Sequence, residues 1–184
     1  PHLAGWKEKL NEHAIQPIQQ FAYTTGKNAT DSALIIDAMD LLYAGKFDGF
    51  CLISSDSDFT RLAARLRESG MVVYGFGEKK TPRAMIAACD RFLYVEVLRA
   101  PAVAKANEAK TAGGKTKIDA ALLLLLDSAF EATADDSGTV HLGALGSQIS
   151  KQAPDFDARN YGHKRLSDLF KATRQFVLEE RKSA

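Results

Sequence analysis

Residues 50–70 read FCLISSDSDFTRLAARLRESG, and this segment contains consecutive strand, turn and helix signals. It begins with Phe50 to Ile53, an apolar run that is typical of a strand buried on both faces in a parallel sheet. Phe59, Leu62 and Leu66 then recur at helical spacing, so the strand is predicted to lead directly into an amphipathic helix. The residues between them form a turn at the carboxyl end of a buried strand, where open parallel sheets bind their ligands.

Two aspartates, Asp56 and Asp58, lie in this turn behind a double serine. Two carboxylates at one turn can converge on a single hard cation, because Mg²⁺ takes oxygen ligands and keeps several waters for substrate phosphates. The alternative is an ordinary helix start, in which Ser57 or Asp58 caps the first amides and an acidic first turn complements the helix dipole. The spacing alone leaves the metal site and the helix start open.

The totals indicate an ordinary globular protein. A chain of 184 residues has room for one domain plus a small second one, or for one larger domain. Its net charge of +1 neither requires nor excludes a nucleic-acid partner. Cys51 and Cys89 match no metal-ligand spacing, and no segment resembles a signal peptide or a membrane span, so we expect a cytoplasmic protein.

Strand and helix alternate through the first part of the chain. Besides the stretch above, the patterns predict strands at 15–23, 71–76 and 92–95, with Pro17 marking an edge or a bend in the first. Helices are predicted at 3–13, from Asn28 or Thr30 to Gly45, and from Thr81 to Ala88. This alternation predicts a three-layer parallel α/β domain. The chain opens inside a helix, which leads us to expect that upstream sequence is missing.

A change in composition divides the chain. Residues 99–117 are rich in Ala, Lys and Gly, have no apolar period and carry a net charge of +4, so they are interpreted as a linker. From Ile118 onward, three short helices and a closing strand at 175–179 are predicted, with a turn at 136–138. Such an arrangement is typical of a small winged-helix domain, which binds nucleic acid or another protein.

The first part of the chain resembles the NYN domain, a PIN-like and Rossmann-like nuclease group that includes LabA-like proteins. The resemblance covers residues 1–98 and depends on TGKNATDSALIIDAMDLL together with SSDSDF. It implies a fold that cuts RNA with Mg²⁺ or Mn²⁺. Carried over by position, it implies that the catalytic metal ligands are Asp31, Asp56 and Asp58. It also implies that the substrate-binding residues are Lys27, Asn28, Thr30, Ser54 and Ser55.

The resemblance has one departure. Members of the family begin with a central strand that bears another aspartate, and no such strand precedes Leu3 in this sequence. We therefore expect either a fragment of a longer protein or an acidic cluster that is short of one ligand.

The last part, residues 118–184, resembles the OST-HTH or LOTUS domain, a winged helix that is similar to RNA-binding modules. The resemblance depends on Gly138, Leu142, Pro154 and the string YGHKRLSDL, which begins at Tyr161. Its RNA-contact candidates are His163, Lys164 and Arg165, which are predicted to start the third helix of the domain. Surface solvation remains their alternative.

Three functions follow from these observations. The first is a metal-dependent ribonuclease with a winged-helix RNA-binding module. The second is an inactive RNA-binding or adaptor protein, and the third, a nucleotide-binding Rossmann enzyme, ranks last because GFGEKK lacks the G-x-G-x-x-G pattern. RNA is the expected partner and a membrane is not. A protein partner for the winged helix and a homodimer stay open.

Overall fold

The computed structural model describes residues 5–18, 20, 29–99, 118–135 and 137–179. The chain divides into two compact units, Pro1–Lys46 and Phe47–Ala184. None of the helices in these described ranges has the length and apolarity needed to cross a membrane.

The described residues of the first unit form two helices. Helix α1 spans Lys7–Glu12 and α2 spans Ala29–Tyr43, as the helical spacing predicts. The strand predicted at 15–23 is wrong for residues 15–18 and 20, which are irregular, and its other residues lie outside the described part of the chain. Pro17 explains this, because it offers no N–H to a strand ladder.

Helix α2 ends at a left-handed glycine. Gly45 has φ of +64°, a conformation that glycine adopts without strain, and its N–H donates to the carbonyl of Leu42. Leu34 and Ile36 of α2 remain 44% and 60% exposed, and Ala38 is the residue of α2 that is buried.

Residues 47–99, here called the sheet region, form a parallel α/β arrangement. Three strands lie in the order β1 (Gly49–Ile53), β2 (Val72–Gly77) and β3 (Arg91–Tyr94), and both neighbouring pairs are parallel. Helix α3 (Thr60–Glu68) connects β1 to β2, α4 (Arg83–Ala87) connects β2 to β3, and α5 (Val95–Arg99) follows β3. The predicted parallel α/β fold is confirmed to this extent.

One face of this sheet packs against α3 and α4. Its buried core comprises Leu52, Val73 and Phe92 from the strands with Leu62, Leu66, Met85 and Ile86 from the helices. Gly75 also lies on this face, where an added Cβ would approach the ring of Phe92 to 2.5 Å and the Sγ of Cys89 to 2.8 Å. The close packing of Phe92 therefore requires glycine at this position in β2.

The other face of the sheet is open to solvent along β1 and β2. Ile53 is 78% exposed, Val72 46% and Tyr74 44%, and Cys51 is also exposed. The prediction that Phe50 to Ile53 is buried on both faces is therefore wrong, because α3 and α4 cover only one face of the described sheet. A third layer remains a prediction.

Residues 118–179, here called the helical region, contain α6 (Ala120–Glu131), α7 (Leu142–Gln152), a 3₁₀ turn (Ala158–Tyr161) and α8 (Leu166–Thr173). Asp119 caps α6 by accepting a hydrogen bond from the Leu122 amide at 2.9 Å. The core of this region contains Leu122, Leu126, Ala129, Leu145, Ile149, Leu169 and Phe170.

The end of the helical region differs from the prediction in two ways. The third helix begins at Leu166, after residues 163–165, which were predicted to start it, because Gly162 takes a left-handed φ of +84° after the 3₁₀ turn. Residues 175–179 are not a strand. Phe176 instead packs its ring against Phe130 and Phe170, so burial of this aromatic side chain outweighs the strand preference of the segment.

The turn between α6 and α7 depends on the carboxylate of Asp135. It accepts hydrogen bonds from the hydroxyls and amides of Ser137 and Thr139, and these bonds lower the pKa of Asp135 to about 2. Because the pKa is depressed in the folded state, the stabilisation is complete above about pH 4 and is lost as the pH falls toward 2. We expect an NMR titration of Asp135 to have its midpoint near pH 2.

The Thr139 amide, which donates to the Asp135 carboxylate, should also report the protonation of that carboxylate. Its hydrogen exchange should accelerate, relative to intrinsic rates, over this acidic range in the native protein, and the pH dependence should vanish in Asp135→Asn. A titration midpoint near the ordinary value of about 4 would contradict this account of the turn.

Candidate metal centre

The turn that follows β1 is fixed by its two serines. The Ser54 hydroxyl accepts a hydrogen bond from the Asp56 amide at 3.1 Å, and the Ser55 hydroxyl accepts one from the Glu78 amide at 2.8 Å. The Ser54 amide donates to the carbonyl of Phe76 in β2 at 2.9 Å. One of these hydrogen bonds lies within the turn, and the other two connect it to the end of β2. Together they hold the following residues at the carboxyl edge of the sheet.

Asp56 and Asp58 are both exposed at this edge, and their ligand oxygens lie within 4.8 Å of each other. The cap of the 3₁₀ turn Ser57–Phe59 is Asp56, whose Oδ1 accepts from the Asp58 amide at 3.0 Å. The expectation that Ser57 or Asp58 provides the cap is therefore wrong. Because Asp56 already caps the turn, Asp58 is not needed as the cap; its carboxylate lies in the first turn, where a negative charge complements the helix dipole.

The other residues predicted for this site lie in the first unit. Asp31 is half-buried in the first turn of α2, and Thr30 is exposed beside it. Lys27 and Asn28 lie outside the described residues. The role of Asp31 as a third ligand, and the substrate contacts of these residues, are taken up as a proposal below.

The carboxyl edge contains charged residues that the sequence patterns did not single out. Glu78 directly follows β2 and pairs with Lys80, Oε2 to Nζ at 2.7 Å, and this hydrogen bond raises the pKa of the Lys80 ammonium. Glu96, just beyond β3, accepts a hydrogen bond from the Lys79 amide at 3.1 Å. The signal for them in the sequence is their position just after the ends of β2 and β3.

The RNA-contact candidates of the helical region lie together before α8. Lys164 and Arg165 are exposed and His163 is half-buried, with its amide donating to the carbonyl of Ala158 at 3.0 Å. They were predicted to start the third helix, whereas the structure places them in the segment between the 3₁₀ turn and α8. Two exposed cations in consecutive positions present a basic surface suited to phosphates.

Comparison with known families agrees with this architecture. The NYN domain family matches residues 1–96, and the OST-HTH/LOTUS domain family matches residues 115–184. Neither the curated proteins nor the solved structures give a match. The chain belongs to the NYN domain family and has an OST-HTH/LOTUS domain in its last part. Both assignments made from resemblance are confirmed. NYN domains are typically nucleases, and OST-HTH domains bind RNA.

Proposed function

We propose that this protein is a metal-dependent ribonuclease in which Asp56 and Asp58 hold a divalent cation at the carboxyl edge of the sheet. The observation that carries this proposal is the pair of exposed carboxylates, whose oxygens lie within 4.8 Å of each other beyond the end of β1. We include Asp31 as a third ligand, on its position in the first turn of α2 and on the family resemblance.

The donor set suits Mg²⁺ or Mn²⁺. Carboxylate oxygens are the protein ligands that these hard cations prefer, and two or three of them leave coordination positions for water and for a substrate phosphate. Both aspartates are exposed, so an RNA backbone has access to them. A divalent ion bound there would polarise the scissile phosphate and lower the pKa of a coordinated water.

The remaining tasks fall to residues of the chain itself. Asp56 keeps the turn in shape through its bond to the Asp58 amide, so the second carboxylate is held at a fixed position. Lys79 and Lys80 are exposed at the same edge and supply positive charge for the RNA backbone. Lys27, Asn28, Thr30, Ser54 and Ser55 are further substrate-binding candidates.

The helical region supplies RNA binding in this proposal. A winged-helix arrangement would place His163, Lys164 and Arg165 against the RNA backbone, where Lys and Arg contacts to phosphate give affinity without sequence selectivity. Such binding weakens steeply as the salt concentration rises, because each phosphate contact releases counterions. Possible partners other than RNA, and the cytoplasmic location, remain predictions.

A cleavage assay tests the proposal. End-labelled single-stranded and hairpin RNAs are incubated with the protein and Mn²⁺, Mg²⁺ or a chelator, and RNA binding is measured under the same conditions. We expect cleavage with at least one of the two metals and none with the chelator. RNA binding without cleavage under all conditions would contradict the nuclease and support the adaptor alternative.

A further inference from the structure

The sheet region and the helical region meet at a polar contact beside β3. The Phe92 amide donates to the carbonyl of Pro154 at 2.8 Å, and the Tyr94 hydroxyl donates to Oδ2 of Asp155 at 2.7 Å. Nη1 of Arg83 lies 3.3 Å from the same carboxylate oxygen. These five residues, Arg83, Phe92, Tyr94, Pro154 and Asp155, are here called the domain seam.

The carboxylate of Asp155 is the centre of the seam. Its side chain is 17% exposed, whereas that of Arg83 is 85% exposed. A carboxylate that is this far removed from water requires partners, and the hydrogen bonds that its Oδ2 accepts come from the sheet region. Burial and the bond to Asp155 raise the pKa of Tyr94, so its hydroxyl stays protonated and able to donate. Loss of these partners while the two regions stay in contact would leave a poorly solvated charge without its hydrogen bonds.

The seam also covers a strand edge. Strand β3 pairs with β2 on one side, and on its other side the Phe92 amide finds its acceptor in the helical region. Unpaired edge amides are unfavourable when they are shielded from water, and Phe92 is 1% exposed. Backbone and side-chain contacts therefore join the two regions at the same place.

The position of the seam connects it to the candidate metal centre. Tyr94 is the last residue of β3 and is in register with Gly77, the last residue of β2, so it lies at the carboxyl edge of the sheet. Arg83 begins α4 after the same edge. Asp56 and Asp58 follow β1 at this edge as well, because the three strands are parallel.

We propose that the seam holds the OST-HTH domain as a fixed guide that presents bound RNA to the acidic edge in one register, with Tyr94 and Asp155 as positioning residues. This inference rests on the proposed RNA-binding function of the chain. If hydrogen bonds fix the OST-HTH domain to the sheet region, RNA bound to that domain can lie in only a few positions relative to the sheet. A domain on a flexible linker would allow many positions.

Cys51 offers a test that does not depend on native cleavage. It is exposed and Cys89 is buried, so a chelated iron that generates hydroxyl radicals can be attached at Cys51 alone. The label is placed in an Asp56→Asn background, and an end-labelled hairpin RNA with a single-stranded flank is the probe. With the native seam, we expect radical cuts confined to one short window of the RNA.

The seam variant is Tyr94→Phe with Asp155→Asn. It keeps the ring of Tyr94 on that of Phe92, whose centroids are 5.6 Å apart, and removes the hydroxyl and the charge. We expect the window of cuts to widen roughly twofold or more, because register is lost while the RNA stays bound. Asp168→Asn, which neutralises an exposed carboxylate on α8, is the matched control and should keep the narrow window.

Hydrogen exchange measures the seam directly. Loss of a charge-assisted bond should accelerate exchange of the Phe92 amide about tenfold. The Val73 amide, which donates to Asp90 within the sheet region at 2.8 Å, should keep its rate.

Three outcomes would overturn the inference: an unchanged hydrogen-exchange rate of the Phe92 amide in the seam variant, a range of radical cuts as narrow in that variant as with the native seam, or no radical cuts with the native seam. If the unmodified protein does not cleave RNA but the radical cuts widen as expected, the nuclease proposal fails and the proposal of a fixed guide stands.

Discussion

Asp56→Asn is expected to reduce metal-dependent RNA cleavage by about a hundredfold or more, since even residues that only orient metal ligands contribute about 10–100-fold. The substitution removes one negative charge from a pair of carboxylates whose oxygens lie within 4.8 Å of each other. Asparagine keeps an oxygen at the Oδ1 position, so it can still accept the hydrogen bond from the Asp58 amide and preserve the turn. The expected loss is therefore one of metal binding rather than of structure.

The measurement pairs initial cleavage rates over a Mn²⁺ titration with direct binding of Mn²⁺ to the protein. Asp40→Asn is the matched control, because it removes an exposed carboxylate of α2 that the proposal does not assign to the metal site. It should retain the native rate within about twofold, as ordinary surface substitutions do. A cleavage rate for Asp56→Asn within threefold of the native one would remove Asp56 from the metal site.

The sheet region shows which parts of the structure local patterns determine. The run from Phe50 to Ile53, the two aspartates and the spacing of Leu62 and Leu66 predicted a strand, a turn and a helix, and all three are present. Each of these features depends on residues a few positions apart, so periodicity and turn chemistry are sufficient. Burial on both faces of β1 depends on what packs over it, and the sequence of the strand does not contain that information.

The two strand predictions that the structure contradicts have a common cause. Residues 15–18 and 175–179 contain β-favouring side chains, but a strand also needs a partner strand in register. In the second segment, Phe176 packs onto Phe170 and Phe130 instead, and these contacts decide its conformation. In the first segment, Pro17 offers no N–H to a strand ladder, so local strand propensity is overridden by proline there and by the packing of Phe176 in the second segment.

The candidate metal site was partly accessible to sequence reasoning, and the seam was not. Asp56 and Asp58 are close in sequence and close in space. Tyr94 and Asp155 are separated by 61 positions, and neither stands in a recognisable motif. Nothing in the pattern of β3 indicates that the partner of its outer edge comes from the loop after α7.

Phe170→Ala is expected to destabilise the helical region by about 3–5 kcal/mol, the usual cost of deleting a buried aromatic ring. Phe170 is 2% exposed, and its ring meets that of Phe176 edge-on, with centroids 4.9 Å apart. Leu169, Leu126 and the other core residues cannot fill a cavity of this size without shifting the helices. Domains of this size have a total free energy of unfolding of only about 5–15 kcal/mol. The helical region of the variant should therefore unfold at a clearly lower denaturant concentration than in the native protein.

Guanidinium unfolding followed by near-ultraviolet circular dichroism measures this effect, with Val177→Ala as the control. Val177 is 91% exposed, so its truncation should change the free energy of unfolding by less than about 0.5 kcal/mol. Unfolding of the helical region also withdraws the Pro154 carbonyl from the Phe92 amide, so exchange at Phe92 should rise together with the loss of RNA binding. An unchanged unfolding midpoint would show that Phe170 does not stabilise this core. If the helical region unfolds but hydrogen exchange of the Phe92 amide is unchanged, the seam does not protect β3.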